Sequence, residues 1–218
     1  MTITTQIKRV IFFGTPEFAV PSLQKLAKTR FKPVLVVTQP DKEQGRRLKI
    51  IPPPIKVVAE ENGIETIQPE SLKGDVILGL LSQYDPDIII TVAYGGILPK
   101  KILSLPRLGC INLHPSMLPK YRGATPMNQA LFEGDTETGV TVFQMEANMD
   151  SGPILLQKEF LIEEHDNYTT LSDRLSNEGG ELLLDALTLL EKGKITPIEQ
   201  DHSKATYCYK LKKEDMII

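Results

Sequence analysis

DIIITV, residues 87–92, carries branched apolar side chains at consecutive rather than alternate positions. Successive side chains of a strand point to opposite faces, so this run is apolar on both, the pattern of a central parallel strand covered by helices on either side. Outward from it, the runs 10–13, 34–38 and 110–113 have the same texture, and segments with helical apolar spacing, 22–28 and 75–81, separate them. This alternation predicts βαβ units and a doubly wound α/β fold, a mostly parallel sheet flanked by helices. Past Pro126 the texture changes. Residues 139–145 and 153–162 read as two further strands, and 169–190 carries leucines at helical spacing, a covering helix ended by Gly193. Residues 39–54, QPDKEQGRRLKIIPPP, hold prolines and a glycine that block regular structure and predict a long loop after the second strand. Long loops in compact domains are often functional.

The 218 residues have a net charge of −3 and are 41% hydrophobic, which fits one globular domain and excludes a disordered or fibrous chain. No apolar run approaches the roughly 20 residues needed to cross a bilayer, so a soluble, cytoplasmic protein is expected. Cys110 and Cys208 form no CxxC pair and no His/Cys cluster of metal-ligand spacing, so reduced thiols and no metal are expected. A slightly acidic chain has no global attraction for nucleic acid, and any such contact must come from a local basic patch. The segment GTPEFAVPSL after the first strand has one glycine where a dinucleotide fingerprint needs three, and GxxxxGK[ST] is absent; nicotinamide, flavin and P-loop nucleotide readings are disfavoured.

In a doubly wound sheet the ligand lies beyond the carboxyl ends of the strands. GCINLHPSMLPKYRGATP, residues 109–126, is the informative stretch there. Residues two apart on a strand share a face, so Asn112 and His114 project together while Ile111 and Leu113 pack into the core. An amide N–H and an imidazole N–H aimed at one point stabilise an oxyanion, which suits acyl transfer. The plainer alternatives are a histidine satisfied by neighbouring backbone and an asparagine serving a turn. Asp150, in NMDSGPI, is either a turn former bonded to its own backbone or a carboxylate facing His114 that favours the imidazolium and orders a water for proton relay. An attacking amine needs only to lose a proton, so no serine or cysteine nucleophile is required, and Cys110 reads as core. His165 and His202 lie in polar segments and read as surface residues.

Five segments, FFGTPEFAVPSL (12–23), QPDKEQGR (39–46), TVAYGGILP (91–99), NLHPSMLPKYRGATP (112–126) and ETGVTVFQMEANMDSGPIL (137–155), together resemble the folate-dependent formyltransferases. The N-x-HPSxLPxYRG block and the DxGPI turn resemble the whole superfamily; GTPEFAVPSL and PDK-x-x-GR favour its methionyl-tRNA branch. The resemblance implies a Rossmann-like formyltransferase fold, a catalytic trio of Asn112, His114 and Asp150, and 10-formyltetrahydrofolate as formyl donor. It also implies folate contacts from Ser116, Met117, Leu118 and Pro119, with Met117 where the family usually has leucine. The segment holding Tyr94, Gly95, Ile97 and Leu98 would form the wall of the pterin pocket. Lys42, Arg46, Arg47 and Lys49 would meet the tRNA acceptor end, the alternative being a solvated charged loop. Full-length relatives continue through a linker into a C-terminal β-barrel, so the resemblance implies a catalytic domain over 1–206 and the start of a linker over 207–218, without the barrel. The expected activity is formylation of initiator methionyl-tRNA by a cytoplasmic monomer with no membrane partner. Two alternatives stay open: formylation of another amine, glycinamide ribonucleotide or an amino sugar, and a non-catalytic folate- or tRNA-binding module.

Overall fold

The computed structural model describes residues 6–44 and 49–210. The chain runs β1 (Val10–Gly14), α1 (Val20–Ala27), β2 (Leu35–Val37), β3 (Lys42–Gln44), β4 (Lys49–Ile51), α2 (Pro54–Glu61), β5 (Thr66–Ile67), α3 (Asp75–Gln83), β6 (Ile88–Val92), α4 (Lys100–Leu103), β7 (Cys110–His114), β8 (Arg122–Gly123), α5 (Pro126–Phe132), β9 (Glu137–Gln144), β10 (Ile154–Leu161), α6 (Tyr168–Glu191) and β11 (Tyr207–Cys208). A seven-stranded sheet in the order β10-β9-β7-β6-β1-β2-β5 forms its centre. From β7 to β5 all pairs are parallel, whereas β9 runs antiparallel to both β7 and β10. The chain builds outward from β1 to β2 and β5, then crosses back to β6 and β7, so the direction of winding switches between β1 and β6.

Every residue of β1 and β6 is buried, as their two-faced apolar runs require. One face of the sheet (Val10, Phe12, Ile88, Ile90, Ile111, Leu113) packs under α1, α2 and α6; the other (Ile11, Phe13, Ile89, Cys110) packs under α3 and α4. Helix α6 begins at a capping box in which the Asn167 side chain accepts from the Thr169 and Thr170 amides and Thr170 Oγ1 accepts from Asn167 N–H. Gly193 follows the C-cap residue Lys192 and takes the left-handed φ of 61° that ends the helix. A side chain at Gly179, mid-α6, would put its Cβ 2.8 Å from Leu113 Cδ2. Glycine costs a helix about 1 kcal/mol in propensity; here it lets α6 lie directly on β7 beneath the site.

One expectation needs correction. Residues 39–54 are not wholly irregular: β3 and β4 pair antiparallel, Lys42 with Ile51 and Gln44 with Lys49. The prolines at 40 and 52–54 flank this hairpin rather than interrupt it. Past residue 206, β11 runs parallel to β8, with Tyr207 opposite Arg122 and Cys208 opposite Gly123. Cys208 is buried with Tyr121 and Ala130.

Candidate active site

Strand β7 ends at His114, at the line where the sheet changes from parallel to antiparallel. Asn112 lies between Thr91 of β6 and Phe143 of β9, half-buried, and its side-chain amide bonds to none of the described residues. His114 is 4% exposed. Its Nε2–H donates to the Tyr121 carbonyl at 2.9 Å; a carbonyl only accepts, so the hydrogen-bond network assigns this proton to Nε2. The other nitrogen, Nδ1, lies 3.8 Å from Asp150 Oδ2, an ion-pair distance when the ring is protonated. Both alternatives for the histidine therefore hold in part: backbone satisfies one nitrogen, and the second faces a carboxylate.

Asp150 sits in the turn between β9 and β10 at a left-handed φ of 49°, a conformation that aspartate tolerates better than most residues. Its Oδ2 accepts the Gly123 N–H at 2.7 Å, across 27 residues of sequence, which ties the turn to the loop carrying His114's partner. Gly123 has a φ of 119°, and a Cβ there would fall 2.1 Å from the Cys208 carbonyl oxygen, so only glycine lets β11 close over this point. Tyr121, also left-handed at φ 60°, is fixed by its N–H to Thr206 Oγ1 (2.8 Å) and its hydroxyl to Asp135 (2.7 Å). Burial and the Asp135 carboxylate push the Tyr121 hydroxyl pKa up, which keeps that donor protonated. Burial likewise pushes the Cys110 thiol up to about 12, consistent with a core role.

The 116–119 segment loops back against β9. Ser116 and Leu118 are buried, with the Ser116 hydroxyl donating to the Lys120 carbonyl at 2.6 Å; Met117 and Pro119 are half-buried. Thr141 Oγ1 donates to the Ser116 carbonyl (2.6 Å) and accepts from Leu118 N–H (3.2 Å), while Gln157 Nε2 donates to Leu118 O and Thr141 Oγ1, both at 2.8 Å. Sequence reasoning missed Thr141 and Gln157; β9 (ETGVTVFQ) and β10 (ILLQKEFL) each carry several polar side chains, so no local signal singled these two out. Tyr94 and Leu98 are buried, with the Tyr94 ring edge-on to Phe13 at 5.2 Å, and Gly95 and Ile97 are exposed, all on the loop leaving β6.

Lys42 and Lys49 are exposed on the β3–β4 hairpin together with Ile50 and Ile51. Arg46 and Arg47 lie outside the described residues. The base of the hairpin is held by Asp41, which accepts from Gln68 Nε2 at 2.6 Å and Lys56 Nζ at 2.9 Å; these two bonds hold its carboxyl below the usual range. His165 is exposed, as expected. His202 is exposed too, yet its Nδ1 accepts from the buried Arg122 at 3.0 Å.

Residues 8–187 match the sequence family described as Formyl transferase, and the chain belongs to that family. Within it the chain stands with the methionyl-tRNA formyltransferases: it is 49% identical to that of Thermotoga maritima over 210 residues, covering 96% of this chain and 67% of the relative. Identity to the methionyl-tRNA formyltransferase of Synechococcus sp. (strain JA-3-3Ab) is 50%, covering 95% of this chain and 65% of the relative. The chain thus spans about two thirds of the length of these relatives. Among solved structures, glycinamide ribonucleotide transformylase 1 from Symbiobacterium toebii superposes with a TM-score of 0.71 at 19% identity, over 89% of this chain and 95% of that one. Phosphoribosylglycinamide formyltransferase from Anaplasma phagocytophilum gives 0.71 at 20% identity, over 94% and 100%. At this identity the two structures share the fold.

Proposed function

We infer that the chain transfers the formyl group of 10-formyltetrahydrofolate to the amino group of methionyl-tRNA. The observation that carries this reading is the pairing at β7: an Asn112 amide that bonds to none of the described residues, beside a histidine whose Nε2 is held by Tyr121 O and whose Nδ1 faces Asp150. The neutral amine attacks the formyl carbon, forming the new C–N bond, and the bond from that carbon to the folate nitrogen breaks. Asn112 donates to the oxyanion. Because the Nε2 proton is engaged, His114 donates from Nδ1, which carries a proton only in the imidazolium and faces Asp150 at 3.8 Å. The proton lost by the amine reaches the leaving folate nitrogen by way of water held between His114 and Asp150. Free α-amino groups titrate at roughly pH 7.7–8.0, so a substantial share of the nucleophile is neutral near neutral pH.

Folate would lie against the 116–119 segment and the loop of Tyr94, Gly95, Ile97 and Leu98, with Thr141 and Gln157 holding the first of these in place. The hairpin with Lys42 and Lys49, and the intervening Arg46 and Arg47, would meet the phosphates of the acceptor end. The protein would act on the initiator tRNA in translation, in the cytoplasm. The test is formyl transfer by the 218-residue chain with 10-formyltetrahydrofolate, offering methionyl-tRNA and glycinamide ribonucleotide in parallel, with Asn112→Ala as control. Formylated methionyl-tRNA that disappears in Asn112→Ala is the expected result. Product on the small acceptor alone would move the chain to another branch, and folate binding without turnover would overturn the catalytic reading.

A further inference from the structure

Behind the Asp150 turn lies a buried polar relay that the reaction chemistry does not use. Gln200, 5% exposed, donates through Nε2 to the carbonyls of Asp150 (2.9 Å) and Gly152 (2.7 Å), so one amide spans the turn. Its Oε1 accepts two bonds from Arg122, from Nε at 3.1 Å and Nη2 at 2.6 Å. Arg122 is 2% exposed; its other partners are His202 Nδ1 at 3.0 Å and the Tyr207 hydroxyl at 3.4 Å, and no carboxylate among the described residues forms an ion pair with it. Burying a guanidinium against neutral acceptors is unfavourable for stability. What it supplies is orientation. A guanidinium has only donors, so it fixes the Gln200 oxygen towards itself and turns the NH2 group onto the turn carbonyls. The next residue, Gly123, holds the Asp150 carboxylate by its own N–H at 2.7 Å.

We propose that Arg122 and Gln200 are positioning residues that clamp the backbone of the Asp150 turn, setting where its carboxylate stands against His114. Gln200, His202 and Tyr207 all lie beyond residue 187, where the family match ends, so this assigns the segment after α6 a part in the reaction. The proposal rests on the reading that Asp150 serves the chemistry.

The discriminating substitution is Gln200→Glu. A glutamate still accepts from Arg122, and now pairs its charge, but it cannot donate to the two carbonyls. With 10-formyltetrahydrofolate and methionyl-tRNA, kcat should fall by about 10- to 100-fold, the scale of a misplaced catalytic group. KM for each substrate should change by less than about threefold, and the melting temperature should not drop. The same substitution in an Asp150→Asn background, followed in single turnover, should add less than about threefold, because a residue acting through Asp150 has no effect once that carboxylate is gone. Losses that multiply in the double variant, or an unchanged kcat in Gln200→Glu, would overturn the clamp. If Asp150→Asn itself retains full activity, the catalytic reading fails and not the clamp alone. Should Gln200→Glu fold poorly, the paired change Arg122→Met with Gln200→Leu replaces the buried polar pair by apolar side chains of similar size and should give the same selective loss of kcat.

Discussion

The two ends of the central sheet are built on opposite principles. At the amino end of β6, Asp87 is buried and fully engaged: Oδ2 accepts the Lys8 and Arg9 amides at 2.7 and 2.8 Å, and Oδ1 accepts Arg107 Nε at 2.8 Å. At the carboxyl end the polar groups are held in place but left with capacity. Among the described residues, neither the Asn112 side chain nor the buried Thr91 hydroxyl beside it has a partner, and His114 Nδ1 faces its carboxylate at 3.8 Å. Among the described residues, three of the four non-glycine residues with positive φ, Ala93, Tyr121 and Asp150, lie at this end. Such conformations cost on the order of 1 kcal/mol or more each and persist only where the surroundings over-determine them. One end closes the fold; the other leaves donors and a carboxylate with unused hydrogen-bonding capacity.

The sharpest way to break this comparison is to truncate the carboxyl end. His114→Ala should lower kcat for formyl transfer by roughly 10² to 10⁴, the usual worth of a general acid or oxyanion donor. Stopped-flow or quenched-flow turnover with saturating substrates reads the effect directly. Turnover within a few-fold of the parent would mean that His114 takes no part in the chemistry.

The mirror-image change is Asp87→Ala, which strands the part-buried Lys8 and Arg9 backbone amides and releases Arg107. Charge-assisted bonds of this kind contribute about 1.5–3 kcal/mol net, so a loss of about 2–3 kcal/mol is expected, roughly 4–12 °C in melting temperature for a chain of this size. The folded fraction should turn over normally. Burial pushes the Asp87 carboxyl up, but the Arg9 and Lys8 amides and Arg107 outweigh it and hold the pKa below the usual range. A depressed folded pKa stabilises fully above the unfolded value of about 3.9 and is lost as pH falls through the folded value. The stability gap between parent and Asp87→Ala should therefore be flat near neutrality and shrink below about pH 4. A gap that widens with acid would show that Asp87 is protonated in the folded protein.

What was legible in the sequence divides along the same line. DIIITV and its neighbours announced the parallel core because burial on both faces leaves a local, continuous signature. The period of two likewise put Asn112 and His114 on one face from spacing alone. The groups that aim them were not legible. Tyr121 meets His114 only through a left-handed backbone, Gly123 reaches Asp150 across 27 residues, and Arg122 reaches Gln200 across 78. No local pattern encodes such closures. His202 read as a surface residue for the same reason: its exposure is real, but its bond to Arg122 is made from beneath. The β3–β4 hairpin was hidden by prolines that flank its strands, where they block no ladder bond.

The smallest expected effect lies on that hairpin, a third region that separates recognition from chemistry. Lys42 and Lys49 are exposed and flank residues 45–48, on a two-stranded sheet of their own that follows β2 in the chain and is separate from the seven-stranded sheet holding β7. If they meet phosphates, the double substitution Lys42→Ala with Lys49→Ala removes two screened contacts. It should raise KM for methionyl-tRNA several-fold while leaving kcat at saturation unchanged. The slope of log affinity against log salt should shrink by about 1–2, since each released phosphate contact contributes roughly 0.7–0.9. Affinity for the folate donor should not move, because the hairpin's hold on its base, Asp41 with Lys56 and Gln68, remains intact. A fall in kcat with KM unchanged would place the hairpin in the chemistry instead, and the division between a catalytic edge and a separate recognition arm would fail.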